Sequence, residues 1–344
     1  MAFQVHSTRG PDAEIPPLQV EEYEPRNAPP TMANPPFLCG MFGSRGAGKT
    51  TCMIDMLRWY DHYEAFDRII IWSPTHEKDP KFEALARMKP NARLEMYDTF
   101  SHKHFAEVVE QMDRDAKGYD RYLEARKVYK KYRSHRCNED KMTDEEILIL
   151  YEYDFSDPVV FSDKYKKGRP STLIVFDDQV GNRDVYRGDS TGPVGRFTLR
   201  HRHYNCSMCY LSQAYRNGIP KAMRANLSQA VFFANKSDKI KYEISEEMCS
   251  FVSPDQFVQM WNFATQEDHG CFFITFNAQR PEWRFRKNFD TIIVPGEDPD
   301  AAPPSPVQAP EGEDPREETR PPDAPAKKRK TRARDAPQHF TSHR

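Results

Sequence analysis

The sequence lacks long apolar runs. No stretch of roughly 18 or more apolar residues occurs, and the first 26 residues are polar and contain proline instead of an apolar signal core. We therefore expect a soluble protein that is not secreted and has no membrane segment. The chain also lacks an excess of either sign of charge, since it contains 50 Lys and Arg and 52 Asp and Glu. Whole-chain charge thus neither favours nor excludes a nucleic-acid partner.

Cysteine is sparse and scattered. The seven cysteines are odd in number and lie mostly inside apolar runs, so we expect a reducing compartment and no disulfide framework. Cys206 and Cys209 form a C-x-x-C pair, but no second pair follows at a spacing typical of zinc sites. We interpret this pair as part of a buried strand.

Composition divides the chain into three parts. Residues 1–35 are rich in proline and acids and predict a disordered arm. Residues 36–295 hold the apolar material for one main folded domain. Residues 296–344 predict a disordered tail, acidic and Pro-rich at first and then basic. The basic cluster Lys327–Arg334 indicates nuclear import, with a nucleic-acid-binding tail as the alternative.

Short apolar runs alternate with segments of helical spacing, which predicts an α/β fold with a mostly parallel central sheet flanked by helices. A helix is expected over 50–60, directly after the first strand. The predicted strands cover residues 37–42, 68–72, 93–97, 172–176, 208–211, 230–234 and 271–277.

Residues of about 101–155 interrupt this alternation and predict a helical insertion, because apolar side chains recur among many charges. Its basic end is either a nucleic-acid surface or an ordinary solvated helix face. That end contains Lys127, Lys130, Lys131, Arg133, His135 and Arg136, interleaved with Tyr129 and Tyr132.

A glycine-rich loop joins the first strand to the first helix. A nucleoside triphosphate needs inward-facing backbone N–H groups, glycines that permit the turn, and a helix N-terminus beneath. Gly43, Gly46 and Gly48 meet that need. Lys49 would reach the β- and γ-phosphates, and the Thr50 hydroxyl would hold Mg²⁺. The predicted nucleotide-binding residues are Gly43, Ser44, Arg45, Gly46, Ala47, Gly48, Lys49, Thr50 and Thr51.

Two acidic residues follow a buried strand. Asp177 and Asp178 come directly after the run 172–176, at the carboxyl edge of a parallel sheet, where ligands bind. Phosphoryl transfer needs a carboxylate for the Mg²⁺ shell and a group that orients or deprotonates water. We assign Asp177 with Thr50 to Mg²⁺ and Asp178 to the water, although the two acids could exchange roles. Gln213, at the end of a neighbouring strand, is the candidate sensor of the γ-phosphate or the water.

Transition-state charge also requires an arginine, from this chain or from a neighbouring subunit. The sequence does not choose among the candidates. These are Arg45, Arg200, Arg202, Arg216 and Arg224.

A GTPase is one interpretation of these motifs. Residues 178–181 form a D-x-x-G, and residues 235–238 form an N-K-x-D after a strand, in which Asp238 could accept hydrogen bonds from guanine. Against it, the helical insertion separates Lys49 from Asp178, and no convincing Thr-bearing switch loop or S-A-K-like base loop is found.

A different interpretation rests on three segments that follow the acidic pair in order: Arg200–His203, the strand Cys209–Gln213 and Ile219–Asn226. With that pair, they resemble the poxvirus-type genome-packaging ATPases of eukaryotic DNA viruses, in the FtsK/HerA superfamily, over about residues 37–293. The resemblance implies a RecA/FtsK-like P-loop NTPase fold. It also implies an oligomeric ring that uses ATP and Mg²⁺ to pull double-stranded DNA into a capsid, with a capsid or portal-vertex protein as partner.

By position, Lys49 and Thr50 match the phosphate loop of that family, Asp177 and Asp178 its acidic strand end, Gln213 its sensor, and Arg224 its basic residue after Ile-Pro. Many superfamily members have Asp-Glu where this chain has Asp-Asp, which weakens the assignment of Asp178 as base. A nuclear-import tail suits assembly in the host nucleus, with virion association. A nucleotide-gated scaffold that binds a capsid vertex through its Pro-rich arms is the third possibility.

Overall fold

A computed structural model describes residues 26–158, 168–179, 185, 192–216, 218–248 and 251–296. The strands are β1 Leu38–Phe42, β2 Arg68–Trp72, β3 Arg93–Tyr97, β4 Thr172–Phe176, β5 Cys206–Ser212, β6 Gln229–Phe233, β7 Cys271–Thr275, β8 Phe285–Lys287 and β9 Thr291–Ile292. The helices are α1 Lys49–His62, α2 Pro80–Arg87, α3 His102–Ser134, α4 Asp144–Glu152, α5 Pro193–Thr198, α6 Lys221–Arg224, α7 Asp238–Met248 and α8 Pro254–Ala264.

These strands form one nine-stranded sheet in the order β3-β2-β4-β5-β1-β6-β7-β8-β9. Strands β1 to β6 are parallel, and β7, β8 and β9 add in antiparallel fashion. The predicted α/β fold with a mostly parallel sheet is confirmed. Strand β5 lies between β1 and β4, so the end of β5 is next to both the glycine-rich loop and the acidic pair.

Both faces of the sheet are covered. Along β1, Cys39 and Met41 pack into the cluster that contains α1 and α2, whereas Leu38 and Phe42 pack into the cluster that contains α3, α7 and α8. This alternation is the period of two of a strand. Burial on both faces explains why the parallel strands appear in the sequence as uninterrupted apolar runs.

The last part of the predicted arm belongs to the folded domain. Met32 and Ala33 are buried among residues of α1, and Arg26 forms an ion pair with Asp67. The frequent prolines of this stretch led to the prediction of disorder, although its apolar residues contact the core. Residues 1–25 and 297–344, which include the basic cluster Lys327–Arg334, lie outside the described residues.

The insertion is helical, as the sequence indicates. The first part of α3 packs on the sheet through Phe105 and Val108. Its distal part packs on α4, where Val128 and Tyr132 join Leu150 in a separate small apolar cluster. Although α3 has 33 residues, no helix in the described part of the chain is both long and apolar enough to cross a membrane.

Candidate active site

The loop between β1 and α1 depends on its glycines. Gly46 and Gly48 have φ angles of 79° and 105°, a region that side chains rarely occupy. A Cβ on Gly43 would lie 2.8 Å from the Cβ of Phe233 in β6. Phe233 is buried and also comes within 3.5 Å of the Cβ position at Gly48. The glycine-rich loop therefore packs against the side chain of Phe233.

The N-terminus of α1 is open towards the loop. Gly48 is its N-cap and has no side chain to occupy the first N–H groups, and the first turn carries no acidic residue. These N–H groups can therefore bind an anion. The Lys49 Nζ donates to the carbonyl oxygens of Gly43 at 2.7 Å and Ser44 at 2.9 Å. Burial lowers the pKa of Lys49, and the nearby carboxylates of Asp177 and Asp178 oppose that shift.

Asp177 is the buried member of the acidic pair, at 4% exposure. Its Oδ2 accepts a hydrogen bond from the Ser73 hydroxyl at 3.0 Å, and its backbone N–H donates to the Trp72 carbonyl at 2.9 Å. Burial raises the pKa of Asp177 to about 6; the bond from Ser73 lowers it, and the neighbouring charge of Asp178 raises it. A carboxylate in this environment is stabilised by an adjacent cation.

Asp178 has the opposite surroundings. It is exposed, has a positive φ of 49°, and accepts a hydrogen bond from the Gln213 Nε2 at 3.1 Å. The sequence predicts that Gln213 lies near the acidic pair, and the order of the strands gives the reason. Because β4 and β5 are neighbours, their carboxyl ends meet at one edge.

The residues at this edge fit a Mg²⁺ ion. Asp177 offers a desolvated carboxylate with a raised pKa, and Thr50, a half-buried residue in the first turn of α1, offers a hydroxyl. Oxygen ligands of these two kinds are the ones that Mg²⁺ prefers beside phosphates.

Comparison with known proteins gives distant likenesses only. No protein-family model matches the chain, and no curated protein matches it. The genome-packaging NTPase B204 from Sulfolobus turreted icosahedral virus 2, in complex with AMP, is similar at a TM-score of 0.42 and 10% identity, over 74% of this chain and 98% of that one. EssC (ATPases 2 and 3) from Geobacillus thermodenitrificans is similar at a TM-score of 0.40 and 14% identity, over 77% of this chain and 41% of that one. The pCW3 conjugation coupling protein TcpA is similar at a TM-score of 0.36 and 10% identity, over 75% of this chain and 64% of that one.

Two of the candidate arginines lie near the glycine-rich loop: Arg45 within it, and Arg216, which lines a cavity together with Gly43, Ser44 and Gln213. Arg45 is exposed in the glycine-rich loop itself. Arg224 instead holds α6 against α7: its Nε donates to Glu247 at 2.8 Å, its Nη1 donates to the Ile219 carbonyl at 2.9 Å, and its guanidinium lies over the Tyr215 ring. Only 8% of its side chain is exposed. The hydrogen bonds of Arg224 thus go to Glu247 of α7 and to the carbonyls of Arg216 and Ile219, and a catalytic part for it stays a prediction.

Arg216 pairs with Glu243 of α7 at 2.8 Å. Arg200 and Arg202 are exposed on either side of His201. His201 itself is buried at 3% exposure, and its Nδ1 lies 2.6 Å from the Cys206 carbonyl oxygen. It therefore anchors this segment to β5 and does not present its ring to a partner.

Cys206 and Cys209 are buried within β5, as the strand interpretation predicts.

Ser73, which donates a hydrogen bond to Asp177, was missed as a site residue, because the sequence shows it only as the polar end of β2. The contact follows from the strand order of the structure, in which β2 and β4 are parallel neighbours and the residues that follow them meet.

Proposed function

We propose that this chain is an ATPase that moves double-stranded DNA, and that in its natural setting it packages a viral genome. The observation that supports hydrolysis is the convergence of Lys49, Asp177, Asp178 and Gln213 at one edge of the sheet, beside the open N-terminus of α1. A triphosphate fits there because the anion-binding N–H groups, the Lys49 ammonium and two differently solvated carboxylates are all within one site.

Binding begins at the loop. The N–H groups of the loop and of the first turn of α1 hold the β-phosphate, and Lys49 turns from the carbonyls of Gly43 and Ser44 to the phosphate oxygens. Its ammonium is already partly desolvated, so little reorganisation is needed when charge develops on the transferred group. Thr50 and Asp177 would hold Mg²⁺, which supplies neutralisation of phosphate charge.

The two carboxylates take separate parts. Asp177 is buried against Ser73 and suits the metal shell, whereas Asp178 is exposed and oriented by Gln213. We assign Asp178 to hold the attacking water and accept its proton, with Gln213 fixing the carboxylate. This division follows the assignment made from the sequence and gives it a physical reason.

The contacts of the N-K-x-D segment favour ATP over GTP. The Asn235 Oδ1 accepts from the Ser237 N–H at 2.9 Å, and the Asp238 carboxylate accepts from the Lys241 Nζ at 2.9 Å. One oxygen of each side chain is thus used at the start of α7, and a guanine ring would have to compete with these bonds; the Asp238 side chain is nevertheless 65% exposed.

The DNA partner is proposed from the order of motifs that resembles packaging ATPases. Cations are exposed on the distal part of α3, at Lys130 and Arg133, just after it at Arg136, and beside His201. Such contacts bind phosphates without reading sequence, as a motor that steps along DNA requires. A homo-oligomeric ring, a capsid or portal partner and assembly in the host nucleus complete the proposal.

The test is hydrolysis of ATP and of GTP by the purified chain, with and without duplex DNA. We expect ATP to be preferred, DNA to accelerate its hydrolysis, and Lys49→Ala to reduce the rate by at least about a hundredfold, as loss of a transition-state cation does. Lys81→Ala, an exposed lysine of α2, is the matched control and should retain the rate. Hydrolysis of GTP alone, unchanged by DNA, would overturn the proposal.

A further inference from the structure

An exposed histidine lies against the glycine-rich loop. His269 precedes β7, in a turn that is closed by a hydrogen bond from the Gly270 N–H to the Glu267 carbonyl at 3.0 Å. A Cβ placed on Gly48 would lie 3.3 Å from the His269 Cβ and 3.4 Å from its Nδ1. Its imidazole is thus a direct neighbour of the residue that caps α1.

The backbone of His269 is in an unfavourable conformation. Its φ is 63°, in the left-handed region that glycine occupies freely and that histidine, asparagine and aspartate occupy more often than other residues. Nine other non-glycine residues of the described chain also have a positive φ, so it is the position beside Gly48 that sets His269 apart.

The turn that carries His269 is braced on both sides. The Glu267 carboxylate accepts from the Lys287 Nζ at 2.7 Å, and the Asn288 Oδ1 accepts from the Cys271 N–H at 3.2 Å. Both partners lie at the end of β8 or directly after it. His269 itself is exposed. The two bonds nevertheless hold its turn against the end of β8.

The strand order gives the site a direction. Strand β1, which leads into the loop, lies between β5 and β6. The Asp178–Gln213 pair follows β4 and β5, on one side of the loop, whereas His269 precedes β7, on the other side. The terminal phosphate must face the pair that handles water, so the nucleoside end of ATP leaves the loop on the side of His269.

We propose that His269 positions the nucleoside of bound ATP by placing its imidazole against the adenine ring. This inference rests on the proposed ATPase function and names a contact that the phosphate loop cannot supply. The flat, solvent-facing ring, held by a braced turn next to Gly48, is suited to stacking on a base.

The test compares two ligands. Equilibrium binding of a slowly hydrolysed ATP analogue and of inorganic tripolyphosphate, both with Mg²⁺, is measured for wild type, His269→Ala, His269→Phe and His269→Gly. We expect His269→Ala and His269→Gly to weaken the ATP analogue by about tenfold, within the range for base stacking on a side chain, and to leave tripolyphosphate unchanged. His269→Phe keeps a ring and should bind like wild type. In hydrolysis, His269→Ala should raise KM with little change in kcat.

His269→Gly also separates recognition from folding, because it relieves the backbone strain and should not lower Tm. If His269→Ala weakens both ligands equally, or weakens neither while Lys49→Ala weakens both, the inference is wrong and the nucleotide site stands. If the wild-type chain binds neither ligand, the proposed function fails, and this inference fails with it.

Discussion

Two neighbouring acids of this chain differ in almost every physical respect. Asp177 is buried against Ser73 with its pKa raised to about 6, and Asp178 is exposed in a left-handed backbone conformation, bonded to Gln213. The end of β4 turns one side chain inwards and the next outwards. A single dipeptide thus supplies both a metal ligand and a water-binding group for the proposed reaction.

The separation of these parts predicts a specific pattern of kinetics. Asp178→Asn should lower kcat by about a hundredfold while ATP still binds, since only the acceptor of the water proton is lost. Gln213→Ala should have a smaller effect, and the two changes should be non-additive because Gln213 acts through Asp178. Steady-state kcat and KM of the single and double variants measure this.

A similar pair provides the control. Gln111 donates to Asp115 at 2.8 Å on α3, away from the loop, so Gln111→Ala should leave kcat unchanged. Full activity of Asp178→Asn would show that Asp178 is not the proton acceptor.

Some site residues were readable from the sequence and others were not. The loop 43–50 and the pair Asp177–Asp178 are local patterns, so spacing alone located them. Ser73 contacts Asp177 across 104 positions of sequence, and His269 reaches Gly48 from the start of β7, two strands away from β1 in the sheet. Such contacts depend on strand order, which no local window contains.

At the scale of elements, the α3–α4 hairpin carries its own small core. Leu150 is 2% exposed in the cluster with Val128 and Tyr132, whereas Leu148 on the same helix is 67% exposed. Tyr132, one of the two tyrosines interleaved with cations in the sequence, therefore faces α4. The cations around it are left to face outwards.

This packing predicts a local loss of stability. Leu150→Ala removes buried apolar volume and should destabilise the hairpin by about 2 kcal/mol or more, seen as faster amide hydrogen exchange in α3 and α4. Leu148→Ala should exchange like wild type. ATP hydrolysis should survive in both variants, and its loss in Leu150→Ala would show that the hairpin is coupled to the nucleotide site.

The outward cations give a second prediction at this scale. Replacing Lys130, Arg133 and Arg136 together by Glu should weaken duplex DNA binding and reduce the slope of log affinity against log salt by about three. The same replacement at Lys78, Lys81 and Lys89, exposed around α2, is the control. Equal affinities in both triple variants would identify the α3 cations as an ordinary solvated face.

The strands themselves were predictable where they are buried on both faces, because four consecutive apolar residues, as at 69–72 and 173–176, leave little choice. Strands β8 and β9 were missed. They are two or three residues long, and Phe285–Lys287 includes two charged residues. One of these, Arg286, is fully buried and donates to Thr275 at 3.0 Å, a placement that composition argues against.

At the scale of the whole molecule, the order of the strands makes the site. Parallel strands need long crossover connections, so neighbours in the sheet can be far apart in the chain. Strand β5 lies between β1 and β4, so Gln213, which follows β5, lies between Lys49 and Asp178. The sequence predicted the mostly parallel sheet, the helix after the glycine-rich loop, the helical insertion and the strand of Gln213 as a neighbour of the acidic strand, whereas the full strand order emerged only from the structure.

The measurement that tests the central proposal most directly is displacement of a third strand from a linear DNA triplex by the full chain. We predict that wild type displaces the strand in the presence of ATP and Mg²⁺, and that Lys49→Ala, in which we expect hydrolysis to be strongly reduced, does not. Rapid ATP hydrolysis by the wild type that leaves the triplex intact and is unaffected by added DNA would contradict the account of this chain as a DNA motor.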